Sequence, residues 1–100
     1  MADLKEELSE TMYCILLSLR AERHGYGIIL HVAEFTAGAV QLGAGTIYTS
    51  LKKLERAGWI NRTRTENRRH YYVLTQRGVR ALDEQTSRIE RLHAYGRGTA

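Results

Sequence analysis

The sequence has no proline and a single cysteine in 100 residues, and no apolar run in it reaches the roughly 18 residues of a membrane-spanning helix. Without proline, every turn must rely on glycine and polar residues. The lone Cys14 excludes an internal disulfide and suits a reducing cytoplasm; its apolar setting, Met12-Tyr-Cys-Ile-Leu-Leu17, is that of a buried structural thiol. The start, Met1-Ala-Asp-Leu-Lys-Glu-Glu7, is acidic and polar, unlike a secretory signal. Repeats, low-complexity tracts and linkers are missing as well, so the length corresponds to one small domain with a modest core. No Ser/His/Asp arrangement, paired acids or glycine-rich phosphate loop occurs, and Gly25-Tyr-Gly27 is too short for a dinucleotide fingerprint. The expectation is a protein that is no enzyme and needs no cofactor. His24, His31, His70 and His93, with Cys14, raise the question of a metal sensor. Metal sites cluster their ligands a few residues apart, whereas His24 and His31 have no ligand type but each other across their interval, so no metal site is expected.

What is present is organised around Gly43 to Ile60. At 100° per residue, Ile47, Leu51, Leu54 and Gly58 fall on one side of a helix, the signature of a buried stripe. The opposite side presents Gly45, Thr49, Lys52 and Arg56, flanked by Thr46, Tyr48 and Lys53. No acid stands on that outer face; Glu55 lies at the edge of the stripe. Hydroxyls followed by cations suit base edges and phosphates in a major groove, and the plainer alternative is an amphipathic helix with a solvated basic face. Charge is also unevenly placed. Residues 1–50 hold Lys5, Arg20 and Arg23 against six acids, and residues 51–100 hold twelve Lys/Arg against five, within an overall +4. An arginine-rich half is an electrostatic footprint for nucleic acid.

In chain order, Leu4 to about Arg20 is helical, with Leu4, Leu8, Met12, Ile15, Leu16 and Leu19 apolar and acids in the first turn, where the helix dipole favours them. Glu22 to Gly25 breaks that pattern. A second helix is predicted over Tyr26–Thr36, with Ile28, Ile29, Val32, Ala33 and Phe35 inside and Gly38 as its stop. Ala39-Val-Gln-Leu42 reads as a short extended strand. After the organising helix, Trp59–Thr65 alternates as a strand, Glu66-Asn-Arg68 is a polar turn, and Arg69–Leu74 is a second strand. Thr75 is the expected N-cap of a final helix carrying Val79, Leu82, Ile89 and Leu92. That apolar stripe is thin and spaced near seven, which suits a seam with another chain. The fold class expected is mostly α with a small β-hairpin (α+β): a winged helix-turn-helix over residues 1–76, a C-terminal dimerisation helix over 77–95 within the same unit, and a frayed tail over 96–100. The DNA-binding residues expected are Gly45, Thr46, Tyr48, Thr49 and Lys52 on the helix and Arg64, Arg68 and Arg69 on the wing. Tyr26 is open to two readings, core packing or a phosphate contact.

Several of these residues resemble the motifs of PadR-type transcriptional regulators: His24-Gly-Tyr-Gly-Ile28, Gly45-Thr-Ile-Tyr48 with Leu51, Leu54-Glu55 and Gly58-Trp-Ile60, then Arg69, Tyr71-Tyr72, Leu74-Thr75 and Gly78. The resemblance implies a sequence-specific, homodimeric repressor of double-stranded DNA in a bacterial or archaeal cytoplasm, associated with the nucleoid and away from membranes. It also implies that the last helix pairs with the partner's first, which makes Leu4, Leu8, Leu82, Ile89 and Leu92 the interface. A small aromatic effector would then sit between subunits, near Met12, Ile15 and Ile89. The family usually has Ser-Pro where Gly43-Ala44 stands, so a more mobile start to the recognition helix is expected. The last helix also lacks the tryptophan that some drug-sensing members use to stack ligands. The rival reading is a winged-helix protein-interaction module whose basic wing is merely solvated.

Overall fold

Helix α1 begins only where a cap allows it. In the computed structural model, which describes residues 9–98, Ser9 is extended and its hydroxyl accepts the N–H of Met12, so α1 spans Glu10–Ser18. The helix expected from Leu4 therefore does not run unbroken through Ser9, and Leu4 and Leu8 lie outside the described residues. Strand β1 (Arg23–His24) follows, then α2 (Gly25–Phe35), α3 (Ala44–Arg56), β2 (Ile60–Glu66), β3 (Arg69–Leu74) and α4 (Gln76–Gly96).

Two expectations fail between α1 and α3. Residues 39–42 form no strand: Thr36 donates its hydroxyl to the carbonyl of Val32 and accepts the N–H of Val40, which folds this segment back on the end of α2. The third strand is instead β1, where the pattern merely broke. It pairs antiparallel with β3, Arg23 opposite Tyr72 and His24 opposite Tyr71, to give the order β1-β3-β2. Phe35 is the other exception. It is 43% exposed, on the outside of α2, with its ring edge to His31.

The core is the meeting of all the helices with the inner end of the sheet. Ile15, Leu16 and Leu19 of the α1 region meet Ile28 and Val32 of α2, Ile47, Leu51 and Leu54 of α3, Ile60 and Tyr72 of the sheet, and Ala81 and Leu82 of α4. Gly58, at φ +79, ends α3: its N–H donates to the Glu55 carbonyl and that of Trp59 to the Leu54 carbonyl, a Schellman closure. This turn is bolted to α4. Thr75 donates its hydroxyl to Gly58 O at 2.6 Å and accepts the N–H of Gly78 at 3.0 Å, capping α4 as expected. Gly78 lies so close that a Cβ there would overlap the Trp59 carbonyl oxygen. At the far end of the sheet, Asn67 and Arg68 take φ +51 and +65, the paired left-handed residues of a two-residue type I′ hairpin turn. Three helices followed by this hairpin form the winged helix-turn-helix arrangement.

Candidate nucleic-acid interface

The buried stripe of α3 leaves its other face free. Ile47, Ser50, Leu51 and Leu54 are buried, while Gly45, Thr46, Tyr48, Thr49, Lys52, Lys53 and Arg56 are all exposed. The helix starts at Gly43, which caps without a side-chain acceptor, and Ala44 takes the first helical position. Those are the N-cap and first-turn sites at which serine and proline would act. Glu55, half-buried, faces Arg62 at 4.0 Å and leaves the outer face without an acid.

The wing is exposed along its whole length from Asn61 to His70, with Arg68 in the turn and Arg69 opening β3. Arg64 behaves differently from the free wing cation expected of it. The β-bulge between Arg62 and Arg64 sets Arg62 opposite Tyr72 and Arg64 opposite Tyr71, with Thr63 as the extra residue. Thr63 then donates its hydroxyl to Glu22 at 2.6 Å, and Arg64 donates Nε–H to the same carboxylate at 2.9 Å. A second guanidinium nitrogen of Arg64 donates to Glu66, and its centre lies 3.9 Å from the centroid of the Tyr71 ring. The hydrogen bonds from Thr63 and then Arg64 hold the Glu22 carboxyl below its ordinary pKa, and Glu22 raises that of Arg64. Arg64 is thus committed within its own chain.

Tyr71 lies between two cross-strand neighbours, Arg64 on one side and His24 on the other, whose ring meets it edge-on at 5.1 Å. His24 is the N-cap of α2: its Nδ1 accepts the N–H of Gly27 at 3.0 Å, while Nε2 stands 3.3 Å from Nη1 of Arg69. Burial first, then Arg69 and Arg64, push the His24 pKa below the ordinary histidine value, which favours the neutral ring. These elements enclose a cleft of about 120 Å³ in which His24 and the first residues of α2, Gly25 and Tyr26, face Tyr48 of α3 and Arg68, Arg69 and His70 of the wing. Helix α3, the start of α2 and the wing tip therefore form one continuous donor-rich surface. The sequence points to Tyr48, Arg68 and Arg69 on this surface and leaves Tyr26 open, but it does not point to His24 or His70. The position of His24 immediately before a helix was the available signal, since that is where a capping side chain stands.

Among the described residues, the other candidates are not brought together within one chain. Ile15 is fully enclosed in the core, and Leu82 is 4% exposed against its own chain, so neither offers a surface. Their helical stripes turn inward here because α1 and α4 pack on each other, with a hydrogen bond of 2.7 Å between the Tyr13 and Thr86 hydroxyls. Beyond Thr86, the apolar side chains Ile89, Leu92 (64% exposed) and Tyr95 of α4 are exposed. Met12, buried, lines a separate cleft of about 660 Å³ with Ser9, Thr11, Thr46, Thr49 and Lys53. Cys14 is buried, and burial followed by Glu10 raises its pKa. Among the described residues no group of three His, Cys, Asp or Glu side chains is placed to hold a metal ion, and no helix is long and apolar enough to cross a membrane.

Comparison with known proteins gives this surface a context. No curated protein matches the chain. Among solved structures it is similar to Bacillus subtilis PadR in complex with operator DNA, at 29% identity and a TM-score of 0.71, over 78% of this chain and 47% of that one. It is also similar to a PadR-like transcription factor from Bacteroides fragilis, at 25% identity and a TM-score of 0.75, over 97% and 93% of the two chains. A transcriptional regulator from Clostridium thermocellum shares the fold, with a TM-score of 0.77 at 21% identity, over 98% and 95% of the two chains. The model of the transcriptional regulator PadR-like family matches residues 14–84, from α1 through both wing strands into α4, and the chain belongs to that family, whose members regulate transcription and are not enzymes.

Proposed function

We propose that the protein is a sequence-specific DNA-binding repressor that acts as a homodimer in the cytoplasm, with α3 in the major groove and the wing tip on the backbone. The observation that carries this reading is the acid-free outer face of α3, exposed from Gly45 to Arg56 and continuous through the cleft with Arg68 and Arg69. Thr46, Tyr48, Thr49 and Lys52 stand where base edges would be read, and the wing arginines where phosphates would be met. Similarity to a PadR in complex with operator DNA supports DNA as the ligand. Residues 1–76 would then be the DNA-binding part and 77–95 the dimerisation helix.

The exposed apolar side chains near the end of α4 support the dimer. Ile89, Leu92 and Tyr95 are exposed apolar side chains on the half of a 21-residue helix that leaves its own core. Two such chains would hold two half-sites in fixed register and multiply their affinities. Leu4 and Leu8, the proposed counterparts, lie outside the described residues. A small aromatic effector belongs to the same proposal: Met12 borders the start of α3 through the cleft it shares with Thr46 and Thr49, so a molecule bound there would touch the reading helix itself.

The test is selection of bound fragments from genomic DNA, followed by affinity measurements on the selected and a random duplex across a salt series. Preference for the selected duplex together with a steep fall in affinity with salt supports the reading. Binding to no duplex, at low salt and at protein concentrations that saturate dimerisation, would refute it and leave the protein-interaction module. Titrating planar aromatics into the protein–DNA complex tests the effector: DNA release supports it, and no heat and no release removes it.

A further inference from the structure

His24 is left with a conflict that a ligand resolves. Its Nδ1 accepts the Gly27 N–H at 3.0 Å, so in the neutral ring the one proton sits on Nε2 and makes that atom a donor. Nε2 nevertheless stands 3.3 Å from Nη1 of Arg69, which has only N–H groups to offer. Two donors make no hydrogen bond with each other. Moving the proton to Nδ1 would give Arg69 an acceptor but strip the Gly27 N–H of its own. In either tautomer one donor has no partner within the chain, and protonating the ring makes matters worse by adding a cation beside Arg69 and Arg64.

No acid of the neighbourhood fills the gap. Glu66, opposite Arg69 across the hairpin, is taken by Arg64, and Glu22 by Thr63 and Arg64. Among the described residues no carboxylate lies within ion-pair distance of Arg69. His24 and Arg69 both line the cleft that α2, α3 and the wing enclose. What the pair lacks is an acceptor with adjacent anionic oxygens, and the surface around it is the one assigned above to DNA.

We infer that His24, through its neutral Nε2–H, and the Arg69 guanidinium grip one and the same DNA phosphate. The inference rests on the DNA-binding reading. It assigns His24 two tasks at once: Nδ1 holds the start of α2, and Nε2 holds the backbone, so helix position and phosphate position are coupled through one ring. The two donors also differ in a measurable way. Arg69 neutralises a phosphate charge and releases a counterion, whereas neutral His24 adds a hydrogen bond without charge.

The experiment compares wild type, His24→Asn, Arg69→Gln and the double variant on the selected and the random duplex over a salt series. Asparagine keeps an N-cap acceptor for Gly27 but is too short to carry the distal donor. Each single variant should weaken binding about tenfold per half-site on both duplexes alike. Arg69→Gln should lower the salt slope by about 0.9 per chain, and His24→Asn should leave it unchanged. The double variant should lose little more than the worse single one. Replacing backbone phosphates singly with methylphosphonate should find one position per half-site at which both variants bind like wild type. Wild-type affinity for His24→Asn, additive losses, or two different silent positions would overturn the inference while leaving DNA binding intact. Failure of the DNA-binding reading is separate, because it appears in the wild type itself. Imidazole nitrogen shifts of the wild-type protein need no variant: the Nε2–H tautomer with a DNA-dependent Nε2 shift is expected, and a ring indifferent to DNA would overturn the clamp.

Discussion

Arg64 was expected to meet the DNA backbone, and its surroundings predict that removing it leaves the salt dependence of binding unchanged. Its guanidinium lies 2.9 Å from Glu22 and is hydrogen-bonded also to Glu66, so one cation stands against two carboxylates and offers no free charge to a phosphate. Arg69 has no such acid, which makes it the internal control. For a dimer, Arg69→Gln should remove two phosphate contacts and lower the slope of log affinity against log salt by about 1.8, which is about twelvefold in Kd between roughly 50 and 200 mM salt. Arg64→Gln should change that slope by about zero, although affinity falls because the wing loses its tie to Glu22 and Tyr71. Conversely, Glu22→Gln with Glu66→Gln should free Arg64 and steepen the slope by about 0.9 per chain, but only while Arg64 is present. Because Glu22 titrates below the ordinary carboxylate range, the tie is present at neutral pH and is lost only as pH falls through that depressed value. Fluorescence anisotropy on the random duplex, at neutral pH and five or more salt concentrations, reads all of this. An Arg64→Gln slope reduced as much as that of Arg69→Gln would refute the reasoning, since Arg64 would then leave its carboxylates for the backbone.

Four further outcomes follow from the packing and the exposed faces. Gly78→Ala should destabilise the fold by more than about 3 kcal/mol in urea unfolding, because its Cβ overlaps the Trp59 carbonyl; a loss under about 1 kcal/mol would mean that α4 shifts freely. Gly43→Ser should stabilise by a few tenths of a kcal/mol and slow amide exchange in the first turn of α3, since the site has cap geometry and open space; unchanged exchange would show that the hydroxyl does not cap. Charged residues in place of Ile89 and Leu92 should give monomers in sedimentation and weaker operator binding, and a wild type that is already monomeric at micromolar concentration would remove the proposed seam. Alanine at Thr49 or Lys52 should cost about 1–3 kcal/mol on the selected duplex and much less on the random one, and equal losses on both would take base reading away from α3.

Much of the architecture is legible residue by residue, because it depends on neighbours a few positions away. The 3.6-residue stripe of Ile47, Leu51 and Leu54 defines α3 and, by exclusion, its outer face. Gly58 as a helix stop, Thr75 as an N-cap and the alternation on either side of Asn67-Arg68 are equally local, and the structure has each where the sequence puts it. Periodicity does not say how wide a buried face is. Phe35 lies on the apolar side of the α2 pattern yet outside the packed helices, and Leu82, on a stripe suited to a partner chain, is consumed by its own core.

What only the tertiary structure decided are the pairings made at long range. A two-residue strand such as β1 has no pattern of its own and exists because β3 supplies its hydrogen bonds. Arg64 and Glu22 are separated by 42 residues, and Arg69 and His24 by 45. In the sequence, Arg64 and Arg69 are equivalent cations of one wing. The bulge beside Thr63 turns the first toward two carboxylates, and the register of β3 sets the second against another donor. Local chemistry thus determined which residues carry charge and which helix faces outward. Closure of the sheet determined which of those charges remain free, because a charge is neutralised by whatever the folded chain brings within a few ångströms of it.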